Sequence, residues 1–215
     1  MAERYSGKEN SLWRGWISKE IPVCCIVLIS INVLIFLLEL LVPALGSWLE
    51  KEGCFGVIYL IYDREWYRLV TSAFLHADAE HLANNMILLY FAGDIVERSL
   101  GRVRFCILYL TAAVCGNLLS AAYEISTGGF YDSIGASGAV FGMTGALLFL
   151  VILKRGKAAE ITIQRMLIAV ALSFYAGFTN PSVNNAAHLG GLVTGFILAF
   201  VLGIIPQKKD EIRRF

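Results

Sequence analysis

The stretch Gly135-Ala136-Ser137-Gly138-Ala139-Val140-Phe141-Gly142 places one serine among small residues, at the head of an apolar run that continues to Leu153. Glycines four positions apart lie on one face of a helix and let a second backbone approach closely. The stretch therefore predicts a tightly packed helix. Packing alone would explain the glycines, so a chemical role for Ser137 depends on what the rest of the chain brings to it.

The composition indicates an integral membrane protein. Hydrophobic residues make up 57% of the chain and charged residues 16%, whereas soluble domains carry about 25% charged residues. The net charge of +1 gives no reason to expect nucleic acid as a partner. Five cysteines, an odd number with four in apolar segments, do not indicate a disulfide framework.

Six apolar segments predict membrane-spanning helices, because about 20 apolar residues cross the hydrocarbon core and a helix satisfies its own backbone there. The predicted fold class is an all-α membrane protein with a six-transmembrane-helix bundle in residues 21–205. Tails of residues 1–20 and 206–215 flank that core. The segments are approximately Pro22–Val42, Leu82–Val96, Val103–Tyr123, Ile134–Leu153, Ile161–Phe178 and Asn185–Ile205.

The positive charges predict the orientation of the bundle. Fifteen of the 18 lysines and arginines fall in the two tails, in the link after the second segment, or in the region between the fourth and fifth segments. Lys51, Arg64 and Arg68 are the others. Positive residues accumulate on the cytoplasmic side, so both termini are expected there. Every even-numbered segment then begins at the outer side of the membrane.

This topology gathers the reactive candidates in one layer. His81 and Asn85, four residues apart on one helical face, open the second segment. Ser137 opens the fourth. If the sixth helix begins near Pro181, His188 lies seven residues later, roughly 10 Å along the helix. All four residues are expected near the outer surface.

Each candidate also has an ordinary structural interpretation. Asp78 suits an N-cap of the second helix, and His81 and Asn85 would then be a polar helix start bonded to the loop. In the corresponding interpretation of His188, this histidine bridges two helices by a hydrogen bond. The shared outer layer favours chemistry over these separate explanations.

The chemistry that fits is nucleophilic catalysis. A serine hydroxyl needs a base to take its proton, and neutral imidazole suits that task near neutral pH. The glycine faces of the fourth and sixth segments, the latter with Gly191 and Gly195, would bring Ser137 and His188 together. Attack on a carbonyl creates an oxyanion, for which His81, Asn85 and the Ser137 amide are candidate donors. No acid is placed by its spacing, so a Ser–His dyad is expected, with no metal or cofactor.

Four motifs, in order along the chain, together resemble one family. They are Glu65-Trp66-Tyr67-Arg68, His81-Leu82-Ala83-Asn84-Asn85, Gly135-Ala136-Ser137-Gly138 and His188-x-x-Gly191-x-x-x-Gly195. With these motifs the sequence resembles the rhomboid intramembrane serine proteases. The resemblance implies Ser137 as nucleophile, His188 as general base and acid, and His81 and Asn85 as oxyanion donors. It also implies transmembrane proteins as substrates.

The resemblance further implies supporting features. The first outer loop, with Trp66 and Arg68, would be embedded in the membrane, the link 179–184 would be mobile, and residues 161–178 would form a gate. Some members carry tyrosine where this chain has Phe141, which can stack on the histidine but has no hydroxyl. The expected location is the plasma membrane of a prokaryote, with the site opening outward. The supporting residues are Trp66, Arg68, Gly135, Gly138, Phe141, Gly142, Gly191 and Gly195.

Two other functions compete with proteolysis. A non-catalytic rhomboid-like protein that binds membrane helices would share the fold, but such a relative would be expected to lack the serine or the histidine. A transporter would be expected to show internal repeats and broken helices, and no repeat is evident in this chain. The sequence leaves the substrate and the oligomeric state open.

Overall fold

A computed structural model describes residues 21–153, 157–158, 161–180 and 183–204. This part of the chain is helical apart from two paired two-residue strands, β1 (Lys157–Ala158) and β2 (Ile161–Thr162). A π-helical turn covers Tyr59–Asp63 and a 3-10 turn covers Ser72–Phe74. The α-helices are α1 (Val23–Leu41), α2 (Pro43–Gly53), α3 (Arg68–Thr71), α4 (Ala79–Leu100), α5 (Arg102–Thr127), α6 (Ser137–Leu153), α7 (Ile163–Thr179) and α8 (Asn185–Ile204).

Six of these helices, α1 and α4 to α8, coincide with the six apolar segments. Three are long and apolar enough to cross a membrane: Val23–Leu41, Arg102–Thr127 and Asn185–Gly203. The fold is thus that of a helical membrane protein with three candidate spans in the described residues, and a crossing by all six helices stays a prediction. The predicted tails 1–20 and 206–215 lie outside the described residues.

Side chains and glycine fix the two ends of α4. The Asp78 carboxylate accepts a hydrogen bond from the His81 backbone N–H at 2.7 Å, as the N-cap prediction required. At the other end Gly101, with φ 85°, terminates the helix in a conformation that favours glycine. The helix is therefore longer at both ends than the predicted segment, because the cap and the glycine lie beyond its apolar residues.

Glu97 joins α4 to α1. Its buried carboxylate accepts hydrogen bonds from the backbone N–H groups of Cys24 at 3.0 Å and Cys25 at 2.7 Å. These N–H groups belong to the first turn of α1, where no partner exists within the helix and the helix dipole favours a negative charge. An acid of α4 thus caps the first helix of the bundle.

The core of the bundle forms around α6. This helix packs against α4, α5 and α8, and α1 packs against the outside of α4. Its buried side chains include Val140, Met143, Leu147, Leu150 and Val151. A helix that is apolar on nearly all sides belongs in the interior, so α6 occupies the middle of the bundle and Ser137 is its first residue.

The segment between α1 and α4 is held by a buried arginine. The Arg68 guanidinium donates to the carbonyl oxygens of Lys51 at 2.8 Å and Cys54 at 3.0 Å, and it forms an ion pair with Glu65. Its Cζ atom lies 4.1 Å from the centroid of the Tyr59 ring. A charge this buried must be paired, so Arg68 ties together the parts of this segment.

The same segment is tied to the bundle by α5. The Asn117 amide donates to the Leu69 carbonyl at 3.0 Å and to the Ser72 hydroxyl at 2.9 Å. Trp66 is exposed on the surface of the segment, where an aromatic ring suits the membrane interface. The segment between α1 and α4 is therefore an ordered structure.

Glycines let α6 and α8 touch backbone to backbone. A Cβ atom at Gly191 would collide with the carbonyl oxygen of Gly138, and one at Gly195 would collide with that of Gly142. A Cβ at Gly138 would meet only ordinary contacts, the nearest being the Ala187 carbonyl oxygen at 3.6 Å. At positions 191 and 195 the close approach therefore requires glycine on α8, which meets carbonyl oxygens of α6; farther along, Gly145 of α6 is required in turn, because its Cβ would collide with the Leu192 carbonyl oxygen of α8. We call these four glycines, 138, 142, 191 and 195, the glycine contact.

Candidate active site

His81 lies against the loop that enters α6. Its imidazole is half-buried in the first turn of α4. Gly135 faces this ring with φ 134°, and a Cβ there would lie 2.6 Å from His81 Cε1 and 2.7 Å from Nε2. Gly135 is therefore needed both for its backbone conformation and for the space that the histidine ring occupies.

Ser137 is the first residue of α6 and is half-buried. Its backbone N–H belongs to the first helical turn, where no acceptor exists within the helix. The two preceding amides are directed elsewhere: Gly135 N–H donates to the Ser72 carbonyl at 2.9 Å and Ala136 N–H to His76 Nε2 at 3.5 Å. The segment between α1 and α4 thus holds the backbone of the two residues that precede Ser137.

His76 is a residue of this site that the sequence analysis missed. Its ring is buried and packs edge-on against His81, with ring centroids 5.2 Å apart. Because Nε2 accepts from Ala136, the neutral ring carries its proton on Nδ1, which has no partner in the described residues. Burial, aided by His81, lowers the pKa of His76 to about 4. The available signal was its place five residues before His81 in a chain with three histidines.

Asn85 presents a buried donor without an acceptor. The side chain is 5% exposed, one helical turn after His81, and its Nδ2 has no hydrogen-bond partner within the described part of the chain. An unpaired buried amide is costly and calls for an explanation. An oxygen atom of a bound molecule would satisfy it.

His188 stacks on the helix that Ser137 begins. The imidazole is 8% exposed and lies parallel to the Phe141 ring, with centroids 4.1 Å apart and an interplanar angle of 10°. Phe174 of α7 meets both rings edge-on. Phe141 lies one turn after Ser137 on the same face of α6. The stack therefore places the histidine ring beside the face of α6 that bears the serine.

The start of α8 differs from the prediction. The helix begins at Asn185, where the apolar segment was predicted to begin, and not near Pro181, so His188 lies in its first turn instead of two turns down. Asn184 explains the difference, because its Oδ1 accepts from Ala187 N–H at 3.0 Å and its backbone carbonyl accepts from His188 N–H at 3.1 Å. Residues 181–182 lie outside the described residues.

In the described part of the chain no acid is paired with His188 and no metal site is found. His188 Nδ1 is buried without a hydrogen-bond partner. The nearby buried acid of α5, Glu124, accepts from the Ser120 hydroxyl at 2.8 Å instead. No group of three His, Cys, Asp or Glu side chains among the described residues could hold a metal ion. The site thus offers a serine, a histidine and amide donors.

Comparison with known proteins gives one consistent family. The family model described as a Rhomboid domain matches residues 63–205. The chain is 36% identical over 145 residues, 67% of its length, to the protein named Rhomboid protease GluP from Bacillus subtilis (strain 168). It is 36% identical over 170 residues, 77% of its length, to RHOMBOID-like protein 1 from Arabidopsis thaliana.

The aligned region covers a much smaller fraction of each relative than of this chain. The aligned part is 28% of the Bacillus protein and 42% of the Arabidopsis protein, so the chain spans less than half the length of either relative. Within the chain, the family match includes α3 to α8 and all the residues of the site. The chain therefore belongs to the rhomboid family.

Proposed function

We propose that this protein is an intramembrane serine protease that hydrolyses peptide bonds in or near the transmembrane segments of other membrane proteins. Ser137 is the nucleophile and His188 the general base and acid. The observation that carries the proposal is the stack of His188 on Phe141, one turn after Ser137, across the glycine contact. The name of the Bacillus relative, a rhomboid protease, supports the same activity.

The reaction follows from these two side chains. His188 takes the proton of the Ser137 hydroxyl as Oγ attacks the carbonyl carbon of the substrate. The tetrahedral intermediate collapses, the peptide C–N bond breaks, and His188 gives the proton to the leaving amine. A water molecule, activated by the same imidazole, then hydrolyses the acyl-serine ester and regenerates Ser137.

Stabilisation of the oxyanion falls to the donors around Ser137. The unpaired amide of Asn85, the His81 ring beside Gly135 and the first-turn N–H of Ser137 supply them. Such preorganised donors are each worth about 10²–10³ in rate, because they face the charge that develops in the transition state. No acid is needed to hold His188, since stacking and its helix fix the ring.

The location of the site suits substrates that reside in a bilayer. A transmembrane helix hides its carbonyl groups in its own hydrogen bonds, so a substrate must unwind locally before Ser137 can reach one. With six crossing helices and cytoplasmic termini, as we propose, Ser137 and His188 lie in the outer layer and open to the outer side. The plasma membrane of a prokaryote is the proposed location.

A cleavage assay with one inactivating variant tests the proposal. The full chain in liposomes is incubated with a reporter that contains one transmembrane segment, and the products are mapped by mass spectrometry. Ser137→Ala is expected to lower cleavage by at least about 10³-fold, because the nucleophile is lost. Ser30→Ala is the matched control, since its exposed hydroxyl bonds only to Ile26 of its own helix. Undiminished cleavage by Ser137→Ala, as expected of a non-catalytic helix-binding protein with a contaminating protease, would contradict the proposal.

A further inference from the structure

A polar network joins the start of α8 to the outer end of α5. The Asn184 amide nitrogen donates to the Ser120 hydroxyl at 2.7 Å, and the Ser120 hydroxyl donates to Glu124 Oε1 at 2.8 Å. Ser120 and Glu124 are fully buried. A buried network of this kind is stable only when each donor meets an acceptor, so its hydrogen bonds have a fixed direction.

The direction of these bonds determines the orientation of the Asn184 amide. Ser120 has one hydroxyl proton, which it gives to Glu124, so it can only accept from Asn184. The Asn184 nitrogen must therefore face Ser120, which turns Oδ1 toward the start of α8. There Oδ1 accepts from Ala187 N–H at 3.0 Å, directly before His188.

The same amide also reaches the loop that leads to Ser137. Asn184 Nδ2 lies 3.3 Å from the Ser133 hydroxyl, and Ser133 is held by two backbone hydrogen bonds with Phe55, at 2.9 and 2.8 Å. One side chain thus contacts α5, the loop before the nucleophile and the helix that carries the base.

His188 depends on this arrangement because its own ring has little else to orient it. Its Nδ1 has no partner in the described residues, and the ring is placed by its stack on Phe141 and by the backbone of the first turn of α8. A shift of about 1 Å between reacting groups can cost about 10²-fold in rate. Whatever fixes the first turn of α8 therefore fixes the catalytic distance.

We propose that Asn184, oriented by Ser120 and Glu124, is the positioning residue that sets His188 against Ser137. This inference rests on the proposed function. It assigns a catalytic consequence to two buried residues of α5, a helix that carries none of the site residues predicted from the sequence. The network makes the position of the base depend on a chain of hydrogen bonds rather than on an acid paired with its ring.

Isosteric substitutions can reverse the donor and acceptor roles in this series of hydrogen bonds, which gives a sharp test. In Asn184→Asp the new carboxylate can still cap Ala187 but has no proton for Ser120, which then faces two acceptors. In Asn184→Asp with Glu124→Gln, the glutamine amide donates to Ser120 and the Ser120 hydroxyl donates to the new carboxylate at position 184. Both hydrogen bonds of Ser120 are then remade in the opposite direction, while the cap of Ala187 is kept.

The measurements are kcat and KM for the reporter substrate and the rate at which a fluorophosphonate probe labels Ser137. Asn184→Asp is expected to lower kcat and the labelling rate at least about tenfold with little change in KM, since one buried hydrogen bond to a charged group is lost. The double variant is expected to recover both rates to within about threefold of the wild type. Glu124→Gln alone keeps an acceptor for Ser120 and is expected to retain activity.

Matched variants separate positioning from folding. Ser126→Ala, on α5 with a hydroxyl that bonds only to Tyr123 of the same helix, is the control expected to match the wild type. Should Asn184→Asp not fold, as judged by thermal unfolding, Ser120→Ala removes the tie and leaves the cap, and the same loss of kcat is expected of it. Wild-type kcat in Asn184→Asp or Ser120→Ala, or a double variant that recovers neither rate, overturns the inference. A wild-type protein that neither cleaves nor labels instead overturns the proposed function.

Discussion

The α6–α8 pair and α7 flank the same histidine but pack in opposite ways. At the glycine contact, α8 meets the carbonyl oxygens of α6 with no side chain between the two backbones. On α7, by contrast, most large apolar side chains are exposed. They are Leu167, Ile168, Leu172, Tyr175 and Phe178.

The contacts of α7 with the site are made by side chains. Phe174 meets the edges of Phe141 and His188, with ring centroids 5.6 and 6.4 Å away. The Asn185 amide donates to the Phe174 carbonyl at 3.4 Å, and Asn185 also lies against Gly177. Each of these contacts depends on a side chain that can change rotamer, whereas the glycine contact is made by backbone atoms.

The difference separates the chemistry of the site from access to it. Ser137 and His188 stand on two helices whose distance is fixed by backbone atoms, and this suits a reaction that requires exact distances. The neighbouring helix α7 contributes no residue to the glycine contact, so we expect its position to have little influence on that distance. We therefore propose that residues 161–178 form the gate for substrates, as the family resemblance implies.

The largest expected effect compares the same substitution on the two helices. Leu150→Ala on α6, where the side chain is 1% exposed, is expected to lower the free energy of unfolding by about 2–5 kcal/mol, because it leaves a cavity in the core. Leu172→Ala on α7, 62% exposed, is expected to change it by less than about 0.5 kcal/mol. Equilibrium unfolding in mixed micelles measures both. Equal losses would mean that α7 is as firmly packed as α6.

The second prediction tests the glycine contact itself. Gly191→Ala is expected to lower cleavage of the reporter about 10²-fold, because the new Cβ collides with the Gly138 carbonyl and displaces α8. Gly138→Ala is the control, expected to stay within about threefold because its Cβ has room. Full activity in Gly191→Ala would show that the helices do not meet as described.

A pH dependence tests the support of α6 by His76. Its lowered pKa means that the folded protein binds fewer protons than the unfolded chain between pH 6.5 and about 4. Its contribution is therefore fully present above pH 6.5 and is lost as pH falls toward 4. At pH 5.5 the loss is about 1.4 kcal/mol, one pKa unit below the unfolded value.

The control for this prediction is His76→Gln, whose amide oxygen can accept from Ala136 without titrating. The free energy of unfolding is measured for both proteins at pH 7.5 and 5.5. Between these pH values the wild type is expected to lose about 1.4 kcal/mol more than His76→Gln, because the other titrating groups contribute equally to both proteins. An identical pH dependence in both proteins would show that His76 is not buried as a neutral ring.

The smallest expected effect concerns the contact between α7 and the site. Phe174→Ala removes two edge-on aromatic contacts, of which each is worth about 0.5–1.5 kcal/mol at most beyond area burial. We expect the rate of Ser137 labelling to stay within about threefold of the wild type, the smallest change in activity among these variants, because the glycine contact is untouched. The stability loss from the two contacts is expected to be about 1–3 kcal/mol. A much larger loss of labelling would mean that α7 helps to place His188.

The helices could be predicted because many residues of each segment contribute to its apolar pattern. An apolar run identifies a membrane helix whatever its neighbours are, and the ends of the six predicted segments lie close to those of the helices. The approach of α6 and α8 also follows from the spacing of their glycines. The spacing does not predict that Gly191 is required while Gly138 tolerates a Cβ. That difference depends on how the two helices are rotated against each other.

The site residues that the sequence did not predict are single residues that belong to no repeating pattern. His76 lies in a link without periodicity, and its role appears only when its ring meets Ala136 and His81. Asn184 belongs to none of the motifs in the sequence, and its capping of α8 appears only when its Oδ1 meets Ala187 N–H. A cap of this kind depends on a partner 64 positions away, Ser120, which no local pattern identifies.

The central claim is that the glycine contact delivers His188 to Ser137 as its base. The most direct measurement is the rate at which a fluorophosphonate probe labels the folded full chain in liposomes, with the labelled residue identified by mass spectrometry. The account predicts labelling at Ser137 in the wild type and a rate at least about 10²-fold lower in His188→Ala, because the serine then has no base. Labelling of Ser137 at the same rate in both proteins would contradict it.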